Sequence, residues 1–154
     1  MPEYRDVIPG TQVSVSQPSV AGLQAAMAAG TLSSADLTGF YRQRIERLNP
    51  ALHAVITVNP DAQAEAAASD AARAADGPRG PLEGIPVLVK DNVQVAGMPT
   101  TAGSPALLNA EPGDAFLVGP LALLLHHGYQ RRKDFRQVTE GGQVNCVGRD
   151  SFIV

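Results

Sequence analysis

Cysteine, lysine and long apolar runs are scarce in this sequence, and each scarcity excludes something. Cys146 is the one cysteine in 154 residues. It cannot close an internal disulfide, so nothing points to an oxidising compartment. The longest apolar run, Ala115 to Leu125, is broken by Gly119-Pro120 and is about half the length of a membrane span. No membrane association is expected. The N-terminal Met1-Pro-Glu-Tyr-Arg-Asp6 is acidic and polar, unlike a secretory leader. Excess positive charge is also missing. The net charge is −3, which gives no reason to expect nucleic-acid binding. A soluble, cytoplasmic protein is the expectation.

What is present is unevenly distributed. With 44% apolar and 18% charged residues, the chain is globular rather than disordered, and long enough for one domain with a moderate core. Only two of its 12 basic residues are lysines, Lys90 and Lys133. Residues 119–154 carry a net charge of +2 and residues 1–118 one of −5. Alanine is dense before this boundary and occurs once after it, at Ala122. The chain reads as an N-terminal arm (1–18), a folded portion (19–118) and a divergent tail (119–154).

Local patterns place the elements. Residues 1–17 show no period and read as a loosely held arm. Ser19 is an N-cap candidate before Val20, Leu23 and Met27 at helical spacing, with Gly30 as the stop. Ser33-Ser-Ala-Asp36 resembles a capping box with Asp in place of Glu. It starts a second helix, which Asn49-Pro50 should end. The two helices form a hairpin. His53 to Val58 is a β-branched run and reads as a strand. Asn59-Pro60 turns into an Ala-rich helix over 61–75, whose small side chains suit close packing on a sheet. Gly84-Ile-Pro-Val-Leu-Val89 reads as a second, buried strand. Strand, helix, strand at these lengths is a βαβ unit, and a right-handed crossover would make the strands parallel. Asp114 could cap a last helix, interrupted by Gly119-Pro120. Beyond Gly128 there is no convincing period and no internal repeat.

Lys90 is the candidate catalytic residue. A lysine on a sheet edge ordinarily points to solvent. Lys90, however, closes an apolar strand, where desolvation disfavours its ammonium form. A neutral amine can serve as a general base. Asp91 pulls the other way, and the sequence leaves the balance open. The surrounding string, Gly80-Pro-Leu-Glu-Gly-Ile-Pro-Val-Leu-Val-Lys-Asp-Asn92 followed by Gly97-Met-Pro-Thr-Thr-Ala-Gly-Ser104, resembles the first signature block of the amidase signature family. The helical hairpin, the strand near Val55, the Ala-rich helix and Asp114-Ala115 with Val118 extend the resemblance over about residues 19–118. It implies the N-terminal part of an α/β/α fold: a helical hairpin followed by a βαβ unit, with an incomplete sheet. It also implies hydrolysis of a small-molecule carboxamide through an acyl-serine by a Ser–cis-Ser–Lys triad, with no metal or organic cofactor. Lys90 would be the triad lysine. It would take the nucleophile's proton through the bridging serine, while backbone N–H groups form the oxyanion hole.

The two serines have no counterpart. The family places them in a Gly/Ser-rich segment well past the lysine, and this chain has none in the 64 residues after Lys90. Glu140-Gly-Gly-Gln143 has no adjacent serine, Ser151 lacks neighbouring glycines, and Ser104 reads as a turn hydroxyl. After Val118 the family's next landmarks, ending in Gly-Lys-Thr-Asn, are also missing. A shifted reading frame or a rearranged gene end would produce both this loss and the charge shift. The chain alone is then expected to be an inactive, truncated amidase-like protein. The alternative is a non-catalytic binding or interaction module that reuses this part of the fold. His126-His127 reads as a chance surface pair without partners at metal-ligand spacing. Cys146 reads as a plain thiol, Arg131-Arg-Lys133 as a solvated cluster, and His53 as a local packing or capping residue. Substrate and oligomeric state are left open by the sequence.

Overall fold

Ser19 opens the first helix as the sequence dictates. Its hydroxyl accepts the Gly22 N–H at 3.0 Å, one of the donors that a helix start leaves without an intrahelical partner. In the computed structural model, which describes residues 7–14, 18–107, 109–110, 113–118 and 152–153, this helix, α1, spans Val20–Ala28. It ends where the Ala29 and Gly30 N–H groups turn back onto the Ala25 and Met27 carbonyls. The second helix, α2, spans Ser34–Leu52. Ser33 caps it by accepting the Asp36 N–H at 2.9 Å, and its hydroxyl donates to the Asp36 carboxylate at 2.6 Å. The other donors at this end without an intrahelical partner, the Ser34 and Ala35 N–H groups, are taken by Asp70 at 2.7 and 3.0 Å. Asp70 sits on the third helix, α3, Ala62–Asp76.

The hairpin departs from expectation at its far end. Pro50 does not stop α2, which continues to Leu52. A proline in a last turn forfeits one hydrogen bond without unwinding the residues before it. His53 then closes the helix in the left-handed region at φ 50°, its N–H on the Asn49 carbonyl at 2.8 Å. The Asn49 side chain accepts the Ala54 and Val55 N–H groups and donates to the Val55 carbonyl. These bonds tie the end of α2 to the first strand, β1, Val55–Thr57. Among the described residues the Ala-rich α3 packs chiefly on α2, where the expectation was a sheet. Besides Asp70, Gln63 holds it there by donating to the Ala35 carbonyl at 3.0 Å.

The core is aliphatic: Ile8, Leu23, Met27, Leu32 and Leu37, with Phe40, Tyr41 and Ile85 packed against it. Ile8 corrects the expectation of a loosely held arm. It is 2% exposed, and residues 7–14 fold back on themselves. The Ile8 N–H bonds the Val13 carbonyl at 3.1 Å, and Val7 pairs with Ser14. Burying one isoleucine offsets about 2 kcal/mol of ordering cost, so the segment is retained without any helical or strand period.

The second strand is also corrected. Of residues 84–90 only Val89–Lys90 pair, as β2. Pro86 has no N–H to give a ladder, and Gly84 sits at φ +77°, outside the extended region. None of residues 85–90 is fully buried, and Leu88 is half exposed. Chain order is β1, α3, β2 as expected, yet β1 and β2 are not neighbours. A third strand, β3, Phe152–Ile153, lies between them, parallel to β1 and antiparallel to β2. The two outer strands therefore run in opposite directions, and the expected parallel pairing does not occur. The last helix expected after Asp114 lies largely outside the described residues. The Asp114 carboxylate accepts the Ala96 N–H at 2.8 Å. The result is a partial α/β fold with an incomplete sheet.

Candidate active site

Lys90 is carried by β2, and the chain leading to it is clamped from three helices. Gln24 of α1 donates to the Glu83 carbonyl at 2.9 Å, and Arg73 of α3 donates to the same oxygen at 2.9 Å. Arg73 also bonds the Gln24 side chain at 2.7 Å. Ser34 of α2 donates to the Gly84 carbonyl at 2.8 Å. Glu83, 1% exposed, accepts the Arg79 backbone N–H through its carboxylate at 2.6 Å and pairs with the Arg79 guanidinium at 3.2 Å. A buried carboxylate is tolerable only when satisfied in this way. Gly84 is required at this junction, since a Cβ there would lie 3.0 Å from Ser34 Cβ.

Beyond Lys90 the chain is anchored again. The Val93 N–H bonds the Lys90 carbonyl at 2.8 Å. Asp91, 3% exposed, accepts the Thr101 N–H at 2.8 Å, the Thr101 hydroxyl, and the Gly103 N–H at 3.4 Å. Its own carbonyl accepts the Ala102 N–H at 3.1 Å. Ala102 and Gly103 both have left-handed backbones, at φ 48° and 74°. For alanine that conformation costs about 1–2 kcal/mol, which the bonds to Asp91 offset. Thr100 is buried beside them, and its hydroxyl has no partner among the described residues.

Lys90 itself is half-buried, and it is opposite Phe152 in the sheet register. Ser104 starts a short 3-10 turn over Pro105–Leu107, its N–H on the Thr101 carbonyl at 2.8 Å. This fits the reading of a turn residue. His53 caps α2, as its left-handed backbone requires. Ser151, Cys146, His126, His127 and the basic cluster Arg131, Arg132 and Lys133 lie outside the described residues. Among the described residues no group of three or more His, Cys, Asp or Glu side chains could hold a metal ion, and no helix is long and apolar enough to cross a membrane. Sequence reading missed the work of Asp91, Thr101 and Glu83. The acid at Asp91 was visible as a charge beside Lys90, but its partners ten to twelve residues later were not.

A lysine at the end of a short strand, braced by the turn that follows it, defines a candidate proton-transfer site on an α/β scaffold. The amidase family profile matches residues 36–124. A glutamyl-tRNA(Gln) amidotransferase polypeptide of Aromatoleum aromaticum is 44% identical over 104 residues, covering 67% of this chain and 21% of that protein. A Schizosaccharomyces pombe protein whose name places it among amidases is 35% identical over 148 residues, 87% of this chain and 25% of its own length. Among solved structures, the native peptide amidase from Stenotrophomonas maltophilia matches with TM-score 0.69 and 50% identity over 71% of this chain and 23% of that one. The chain belongs to the amidase family. It spans between a fifth and a quarter of the length of these relatives.

Proposed function

We propose that this chain is the lysine-bearing N-terminal portion of an enzyme that hydrolyses a small-molecule carboxamide. The observation that carries the reading is Lys90, held at the end of β2 inside the part of the fold that is 50% identical to a peptide amidase. Its amine would accept the nucleophilic serine's proton through a bridging serine. The acyl carbon–nitrogen bond breaks as the serine ester forms, the proton leaves with ammonia or an amine, and water releases the carboxylate. Residues 1–154 hold no Gly/Ser-rich segment, so by themselves they should not turn over. A cytoplasmic setting belongs to the same reading, because a single cysteine leaves no internal disulfide to maintain.

Two assays test this. The purified chain, given an aryl amide and a serine-directed acylating probe, should show neither turnover nor labelling. Residues 19–118 grafted in place of the matching part of the peptide amidase should restore turnover. Lys90→Ala in that graft should lower kcat by about a thousandfold or more, because the members of a nucleophile–base unit act together. A graft that stays active without Lys90 would sink the reading.

The division at about residue 118, with a divergent tail, belongs to the same proposal. Reading the coding sequence in all three frames tests the frameshift origin. If no frame restores Gly-Lys-Thr-Asn and a Gly/Ser-rich segment, that origin is wrong.

One observation favours a second reading, a non-catalytic module. Phe152–Ile153 lie between β1 and β2, so the chain supplies its own central strand. A single cooperative unfolding transition of a monomer would support it.

A further inference from the structure

We propose that Asp91 and Thr101 are the positioning residues of Lys90. The inference rests on the reading of Lys90 as the proton acceptor and adds the means by which the amine is held. β2 is only two residues long, and among the described residues it pairs with β3 at one edge of the sheet. The next residue, Asp91, is 3% exposed, and both its carboxylate oxygens are engaged by residues 101–103. The Asp91 carbonyl takes the third N–H of that same run, from Ala102. Asp91 thus gathers three successive N–H groups and one hydroxyl around itself.

An uncharged turn residue could accept one or two of these bonds. A carboxylate accepts at both oxygens and matches the inward-pointing N–H groups that a left-handed turn presents. Thr101, 8% exposed, supplies both an N–H and an O–H to the knot. Adjacent Cα atoms are held at a fixed separation by the peptide, so any slackening at Asp91 moves the Lys90 backbone directly. The Lys90 side chain multiplies such a shift along its four-carbon stem.

The chain's two lysines make the test internal. The full 154-residue chain is pulsed with an amine-acetylating reagent, and modification of Lys90 relative to Lys133 is read by mass spectrometry. Asp91→Asn and Thr101→Val should each raise the Lys90 to Lys133 ratio about threefold or more, as local opening at the turn becomes easier. Thr101→Ser, which keeps the hydroxyl, should restore the wild-type ratio. Labelling is done well below the melting midpoint of every variant; a midpoint that falls while the ratio stays at the wild-type value means that the turn does not hold Lys90, and that result overturns the proposal. If Asp91→Asn does not fold, the contrast between Val and Ser at position 101 decides alone. The labelling needs no turnover, so it can fail while the graft succeeds, and the reverse.

Discussion

Gly84 shows what one residue decides in this chain. Its φ is +77°, and a Cβ added there would meet Ser34 Cβ at 3.0 Å, so no side chain fits without a shift. Gly84→Ala should destabilise the fold by about 1–3 kcal/mol, read as a lower urea midpoint at unchanged slope. Asp70 acts by a different means, charge-assisted hydrogen bonding across 35 residues of sequence. Asp70→Ala, which strands the Ser34 and Ala35 N–H groups, should cost about 1–2 kcal/mol. Leu37, fully buried in the core, sets the upper scale. Leu37→Ala should cost about 2–5 kcal/mol by thermal or denaturant unfolding. Leu37 was legible in the sequence from its helical spacing. The neighbours of Gly84 and Asp70 were not, because neither contact follows from local periodicity.

At the scale of elements, starts were easier to read than stops. Ser19 and Ser33 cap their helices through bonds to residues three positions on, so the signal and its partner lie in one short stretch. The end of α2 was misread because Pro50 is a strong breaker by rule, whereas Asn49 supplies the partners that keep the last turn and the following strand together. Asn49→Ala should cost about 1–3 kcal/mol. It should also speed amide hydrogen exchange over Val55–Thr57 more than over α1, a regional effect visible by exchange mass spectrometry. The strand around Lys90 was overread for a related reason. An apolar run predicts burial only when something lies on both sides of it, and Leu88 is half exposed.

Taken as a whole molecule, the chain leaves apolar surface uncovered. Ile56, Leu52, Leu88 and Phe116 are exposed. A groove of about 540 Å³ runs between α1, α2 and residues 85–88, lined by Val20, Ile45, Leu48 and Val55 among others. Contiguous apolar surface of this kind promotes self-association. The isolated chain should bind a hydrophobic fluorescent dye and show concentration-dependent scattering. Replacing Ile56 with Thr and Leu88 with Gln together should reduce both signals. The unfolding free energy should hold to within about 0.5 kcal/mol, because neither side chain is buried.

The sequence by itself determined the helical hairpin, the Ser19 and Ser33 caps, the order β1, α3, β2 and the candidacy of Lys90. Each of these depends on residues close together in the chain or on a motif read as a string. Only the tertiary structure decided that Ile8 enters the core, that α3 lies on α2, and that β1 and β2 run opposite ways with Phe152–Ile153 between them. It alone also showed that Asp91 is bound by the loop at 101–103. Burial, strand pairing and the partners of a buried charge are set by groups distant in sequence. A local pattern can say that a residue needs a partner, while the folded chain determines which one it finds.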